Sequence, residues 1–454
     1  MLPFVRLAPI VPGFALLLAA PGCQQPTGDH LDRWLIGEVT MRSAFAANLR
    51  TLAMPGGRLT GTPNAERAQE FIADELRAYG LRNVHAEPFD MTCWTVRETR
   101  VTVLDDPPRE LTGAVALAMT LGTPPEGVTA ELVDLGSGTD EEIKAGAEPL
   151  RGRFALVRDV RHERGAIVRK AIEHGAAGVV FTSPAERAPI IGNGHREPRP
   201  EPVVVVPHDE KLLAQVAAGP VRINIRLDAE AWPCRPCNIV GEIPGRGPLA
   251  REVVILTAHL DSWHLAEGGM DNGSGSAAIL EAARALAALA ERDWRPRRTL
   301  RFIWFMSEEI GLNGSRAYVR EHSAELDRVI AVINADMPGA PRRLVAFGHP
   351  EVQPWLERVR ADLAAYELDL KIAEAKGMWS DHAPFMQQGV CTLAVGGELG
   401  PGAQHYHTTG DTYETVDRRG TVQSSAVFAV MLRRLADEPR RPTQRLAAQE
   451  PDEH

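Results

Sequence analysis

The chain has 454 residues, enough for two or three domains and a large buried core. Hydrophobic residues make up 44% and charged residues 24%, which excludes a disordered chain, a collagen-like fibre and a multi-span membrane protein. Acidic residues outnumber Lys and Arg by 60 to 50, and the net charge of −10 argues against a nucleic-acid partner.

Residues 1–23 read as an export signal. Arg6 is the only charged side chain, the run from Ile10 to Ala20 is almost wholly apolar, and small residues lead to Cys23. The apolar run is about 11 residues, well short of the roughly 20 that span a bilayer as a helix. Leu18-Ala19-Ala20-Pro21-Gly22-Cys23 resembles a bacterial lipobox, although Ala20 and Pro21 are unusual choices before Gly-Cys. The expected location is therefore the periplasm or cell envelope with a lipidated Cys23 as membrane attachment, or secretion if the Cys is not modified. Export implies an oxidising compartment. The bland expectation for the remaining cysteines is a disulfide from Cys93 to either Cys234 or Cys237. A structural zinc at Cys234-Arg235-Pro236-Cys237 would need two more ligands nearby, and none is evident.

Thr62-Pro63 is a helix start, a capping hydroxyl followed by Pro at the first helical position. Ala68, Phe71, Ile72, Leu76 and Tyr79 follow at helical spacing until Gly80, and residues 83–95 look extended. The first part of the main domain thus spans 24–96. Over 97–233 the texture changes to short β-rich runs such as Phe154-Ala155-Leu156-Val157, with a helix near 163–174, which predicts a separate α/β module. Its histidines, His162, His174, His195 and His208, are scattered and read as surface or hydrogen-bonded groups. From 234 to 438 the pattern is βα alternation, the signature of a mostly parallel sheet sandwiched by helices. Strands are expected at 252–258, 299–306, 328–335 and 391–396, and helices at 275–290, 314–322 and 422–436. The polar stretch 439–454 reads as a disordered tail.

In an open parallel sheet, ligands bind beyond the carboxyl ends of the strands. Those ends and the loops after them carry His259 and Asp261, Asp271, Glu308 and Glu309, Asp336, and His405 and His407. Singly each is weak, but carboxylates crowded at one rim would repel one another. A divalent cation removes that cost, and mixed imidazole and carboxylate donors suit zinc. The donors exceed what one catalytic zinc needs, so two ions sharing a bridging carboxylate is the natural count. Such a pair would polarise a carbonyl and activate a water.

The set His259-Leu-Asp261, Met270-Asp271-Asn272-Gly273-Ser274-Gly275, Glu308-Glu309, Asn334-Ala-Asp336, Ser380-Asp381-His382 and His407-Thr-Thr-Gly-Asp411-Thr412 resembles the di-zinc aminopeptidase and glutamate carboxypeptidase family. The runs His259-Leu-Asp-Ser-Trp263, Arg295-Pro-Arg-Arg-Thr-Leu-Arg301 and Thr123-Pro-Pro-Glu-Gly127 are most similar to its carboxypeptidase Q branch. The resemblance covers roughly residues 35–438. It implies a zinc exopeptidase fold whose 97–233 module is an inserted protease-associated domain. It also implies that His259 and Asp336 bind one zinc, Glu309 and His407 the other, and that Asp271 bridges them. Glu308 would be the general base. Asp261 would fix the ring of His259. Tyr406 would either donate to the oxyanion or simply line the cleft, and Asp411 would either orient His407 or cap a turn. Asp381 and His382 read as supporting structure. His264 stands where the branch has an acidic residue, and Asn272 where it often has Asp.

The expected activity is an exported exopeptidase, an aminopeptidase or dipeptidase acting on small peptides. The alternatives are a single-zinc glutaminyl cyclase and a catalytically inactive binding protein on the same fold.

Overall fold

The computed structural model describes residues 30–158, 164–292 and 294–448. The expected export signal and Cys23 lie outside the described residues. Among the described residues no helix is long and apolar enough to cross a membrane.

Two eight-stranded sheets organise the chain. The first runs edge to edge through Arg82–Pro88, Cys237–Ile243, Thr299–Phe305, Val253–His259, Val329–Asn334, Thr392–Glu398, Ala340–Phe347 and Lys371–Ala375. Its centre is parallel: Val253–His259 pairs in parallel with both neighbours, and Val329–Asn334 with Thr392–Glu398. The flanking pairings include antiparallel ones, so the sheet is mixed with a parallel core. The expected strands and helices of this half are present within a few residues of their predicted bounds.

Every residue of Val253–His259 is buried, as expected of a strand covered on both faces. Alternation sends Val254, Leu256 and Ala258 into a large core with the helices Gly275–Ala290 and Arg418–Asp437. Val253 and Ile255 enter a smaller core with Tyr318, Val319 and Phe385 on the other face. The helix Pro63–Ala78 begins as its sequence dictates, with the Thr62 hydroxyl accepting from the Ala65 amide and Pro63 in the first turn.

After Pro88 the chain leaves the first sheet and returns to it at Cys237. Between them the second sheet runs through Arg109–Glu110, Met91–Val103, Arg222–Cys234, Val128–Asp134, Phe154–Val157, Gly178–Thr182, Val203–Val206 and Val115–Ala116. Its first and last long strands form one antiparallel ladder from Met91–Cys234 to Val103–Ile223. Met91–Val103 is one unbroken strand of this ladder and runs across the expected boundary at 97. Cys93 and Cys234 are disulfide-bonded across it, 141 residues apart in sequence, while Cys237 and Cys391 are free thiols.

The expectation of a disordered tail from 439 is corrected through residue 448. Arg441 donates to the carbonyls of Asp327 and Val329, the buried Thr443 hydroxyl to that of Ile330, and the Leu446 amide to that of Gly389. Polar composition suggested a solvated segment, but here the polar side chains satisfy exposed carbonyls at the sheet's rim.

The two ends of the described chain are joined by charge. Asp32, fully buried in the helix His30–Met41, accepts from Arg433 and Arg434 of the last long helix, each Nε at 2.7 Å. Breaking a buried pair leaves an uncompensated charge, so Asp32→Ala is expected to cost about 3–5 kcal/mol. Denaturant unfolding of the variant measures this, and a change under about 1 kcal/mol would show the clasp to be dispensable.

Candidate active site

The site forms at the carboxyl ends of the central parallel strands. His259 is the last residue of Val253–His259. Glu308 and Glu309 follow the end of Thr299–Phe305, and Asp336 lies two residues past Val329–Asn334. The turn Gly269–Ser274 delivers Asp271 just before the helix Gly275–Ala290, and the loop after Gly400–His405 delivers His407. Gly275 is needed at the helix entrance, because a Cβ there would meet the Ala335 carbonyl oxygen at 2.2 Å.

All five sequence-predicted metal ligands converge. Donor atoms of His259, Asp271 and Asp336 lie within 4.8 Å of one another, as do those of Asp271, Glu309 and His407. Asp271 divides its carboxylate between the two groups. Its Oδ1 is 3.2 Å from His259 Nε2, and its Oδ2 is 3.1 Å from His407 Nε2. Asp336 Oδ1 approaches His259 Nε2 at 3.6 Å, and Glu309 Oε2 approaches His407 Nε2 at 3.3 Å. Tetrahedral zinc with bonds of about 2.0–2.2 Å sets neighbouring donors roughly 3.3–3.6 Å apart, close to these separations. Asp336 Oδ1 and Glu309 Oε1 are also buried without a hydrogen-bond partner, as atoms reserved for a cation would be. The donor set therefore fits zinc.

Electrostatics point the same way. Burial pushes Glu309 up to about 8, reinforced by Asp271 and opposed by His407. Burial also holds Glu308 well above its ordinary range, with His259 opposing and Asp336, Glu309 and Asp381 adding to the effect. Burial alone would lower both imidazoles, but the surrounding carboxylates win. They hold His259 well above its usual value and raise His407 to about 9. Asp271 is the exception: burial would raise it, yet hydrogen bonds from His259 and His407 pull it below the ordinary carboxylate range. A cluster that retains protons in this way carries excess negative potential, which a divalent cation relieves by displacing them.

The supporting hydrogen bonds revise one expectation and decide between the two alternatives for Asp411. The ring of His259 is oriented through Nδ1 by the backbone carbonyl of Asp261 at 3.1 Å, with the Asp261 carboxylate farther away at 3.6 Å. That carboxylate instead accepts from the amides of Glu308 and Glu309, at 3.1 and 3.3 Å, and so aims the Glu-Glu pair. Asp411 does not serve His407. Its oxygens accept from the amides of Met270 and Asp271, at 2.7 and 3.0 Å, and hold the bridging turn. In both places a carboxylate meets two adjacent backbone N–H groups, which satisfies it better than a single distant imidazole.

Sequence reasoning missed several other groups. Asn272 accepts from the amides of Gly275 and Met337 and donates to the Ala335 carbonyl, tying the bridging turn to the loop that carries Asp336. The buried Arg58 donates to the carbonyls of Leu52, Leu260, Glu267 and Gly268. Asn193, from the second-sheet module, donates to the Glu309 carbonyl at 2.7 Å. These contacts join residues far apart in sequence, and no local pattern marks them. The described module histidines His174, His195 and His208 belong to neither donor group, and His162 lies outside the described residues.

The donors open onto a cleft of about 1020 Å³. Tyr406 lines it, stacked on His407 with ring centroids 3.9 Å apart. Burial, with Asp271 and Glu309 nearby, keeps its hydroxyl protonated far above the ordinary range. Arg164 and Ile190 of the module line the cleft, as do Phe347 and Trp379 of the main domain. Asp381 is fully buried behind the donors and pushed up to about 7 by burial, with His259 opposing and Asp261 and Asp336 adding. His382 donates through Nε2 to the Gly377 carbonyl and stacks on Phe347.

Residues 238–432 match the model of Peptidase family M28. Bovine (Bos taurus) carboxypeptidase Q is 27% identical over 399 residues, covering 84% of this chain and 83% of that protein. The peptidase M28 precursor of Shewanella amazonensis superposes with a TM-score of 0.78 at 22% identity, covering 93% and 98% of the two chains. A zinc aminopeptidase of Bacillus subtilis superposes at 0.68 and 22% identity, covering 93% and 98%. Both donor groups fall inside the matched segment, and the similarity to peptidase family M28 and to carboxypeptidase Q supports a metallo-exopeptidase.

Proposed function

We propose that the protein is an exported di-zinc exopeptidase that trims small peptides, with dipeptides as its preferred substrates. One observation carries the two-ion count: Asp271 turns one carboxylate oxygen toward each histidine–carboxylate group. His259 and Asp336 would hold one ion, Glu309 and His407 the other, with Asp271 shared. When bound, the ions supply Lewis acidity to the scissile carbonyl and to the attacking water. Glu308 takes the proton from that water and returns it to the leaving amine. Its raised proton affinity suits a group that must both accept and release a proton. The Asp261 carboxylate, bound to the Glu308 and Glu309 amides, keeps the base and a ligand in fixed relation. Tyr406, protonated and lining the cleft, donates a hydrogen bond to the developing oxyanion.

The cleft is mixed in character. Phe347, Met378 and Trp379 offer an apolar surface, whereas Arg164 brings a half-buried guanidinium from the second-sheet module. A cation in a cleft that also holds metal ligands fits a substrate with a free carboxylate close to the scissile bond, as a dipeptide has. The module, which we read as a protease-associated domain, thus shapes the substrate end of the site. The Cys93–Cys234 disulfide agrees with export to an oxidising compartment. Lipidation of Cys23 is tested by mass spectrometry of the mature N-terminus, where an unmodified or uncleaved end would exclude it.

Glu308→Gln is expected to lower kcat by about 10²–10⁴-fold while the protein keeps its zinc. Turnover equal to wild type would remove Glu308 from the mechanism. Chelation should abolish hydrolysis and lower the melting temperature, with both restored by zinc, because an ion bound only in the folded state stabilises it. Arg164→Ala should raise KM for dipeptides about tenfold or more, the worth of a charge-assisted hydrogen bond, while leaving an aminoacyl anilide unaffected. An equal effect on both substrates would overturn the carboxylate assignment.

A further inference from the structure

The two halves of the donor cluster are supported differently. His259 and Asp336 are held from within the first sheet and the helix Gly275–Ala290 packed on it. The Ser276 hydroxyl donates to the His259 carbonyl at 2.7 Å, and the Ala335 amide donates to Thr257 at 2.7 Å. Glu309 and His407 are gripped from the second-sheet module. The Ile191 amide donates to the His407 carbonyl at 2.9 Å, and the Thr409 amide to the Pro189 carbonyl at 3.0 Å. Ile190 and Thr408 form an antiparallel bridge between these contacts. Arg187 donates to the carbonyls of Gln404 and Tyr406, just ahead of the histidine. Three residues past Ile190, Asn193 Nδ2 donates to the Glu309 carbonyl.

His407 also has a φ of +51°, a left-handed conformation that a non-glycine residue adopts only when its surroundings hold it there. The holding contacts come from residues 189–191. One short segment thus hydrogen-bonds to the backbone of both ligands on one side of Asp271.

Building on the two-ion reading, we propose that segment 187–193 is a positioning element for the Glu309–His407 metal subsite, with Asn193 as its key side chain. The module then completes half of the metal centre in addition to shaping the cleft. Outer partners of metal ligands typically contribute about 10–100-fold in metal affinity. Removing the Asn193 donor should weaken one zinc by that order and leave the other unchanged.

The test uses the full-length chain as wild type, Asn193→Ala and Asn193→Asp, the last retaining size but placing oxygen where the donor was. Zinc is titrated against a competing chelator, and melting temperature is recorded for each zinc-free protein. The expected result is two zincs for wild type. In both variants one site weakens about tenfold or more, the other stays within about twofold, and the zinc-free melting temperature is unchanged. Variants that bind both zincs as wild type does would overturn the role of Asn193 alone. Equal weakening of both sites together with a lowered melting temperature would also overturn it, by showing a general structural role. A wild-type chain that takes up a single zinc would instead overturn the two-ion reading, and this proposal with it.

Discussion

Crowding of like charge at one rim of a sheet is the constraint around which the molecule is arranged. Asp271, Glu308, Glu309, Asp336 and Asp381 surround two imidazoles in a region where most of these groups are buried. Bringing carboxylates out of water and together is costly unless positive charge is supplied. The chain supplies part of it through the two imidazoles and through backbone amides. The amides of Glu308 and Glu309 satisfy Asp261, and those of Met270 and Asp271 satisfy Asp411. Two of the buried carboxylate oxygens left without partners, Glu309 Oε1 and Asp336 Oδ1, belong to the two groups that could each hold a cation.

The scaffold meets that demand by stiffness. The strands Val253–His259 and Val329–Asn334 are buried along their whole length, and their side chains alternate between two separate cores. Strand ends placed this way cannot drift, so the separation between His259 and Asp336 is set by strand pairing. The loops that carry Asp271 and His407 have no such frame. They rely instead on side-chain to backbone bonds from Asp411, Asn272 and Arg58, and on the second-sheet module.

Much of the site was legible in the sequence because its ligands sit at strand ends, where periodicity locates the strand and the next polar residue is conspicuous. His259, Glu309 and Asp336 are of this kind. Asp271 and His407 lie on loops, and only the joint pattern of motifs singled them out. The partners of the ligands were read less well. The resemblance implies that the Asp261 carboxylate serves His259, whereas backbone amides nearly fifty residues away take it. Asn193 and Arg58 were invisible for the same reason: each serves a carbonyl that only the folded chain brings near. The C-terminal stretch was misjudged because composition cannot tell solvated polar side chains from ones that cap a sheet's rim, as Arg441 and Thr443 do.

The clasp between Asp32 and the arginine pair at 433 and 434 has a consequence for biosynthesis. A chain still emerging from the ribosome has its first helix long before the helix that neutralises the aspartate, and it lacks His407 until nearly all of it has been made. Neither the closed architecture nor a complete set of donors can exist on a partial product. Hydrolytic power therefore cannot precede completion of the chain.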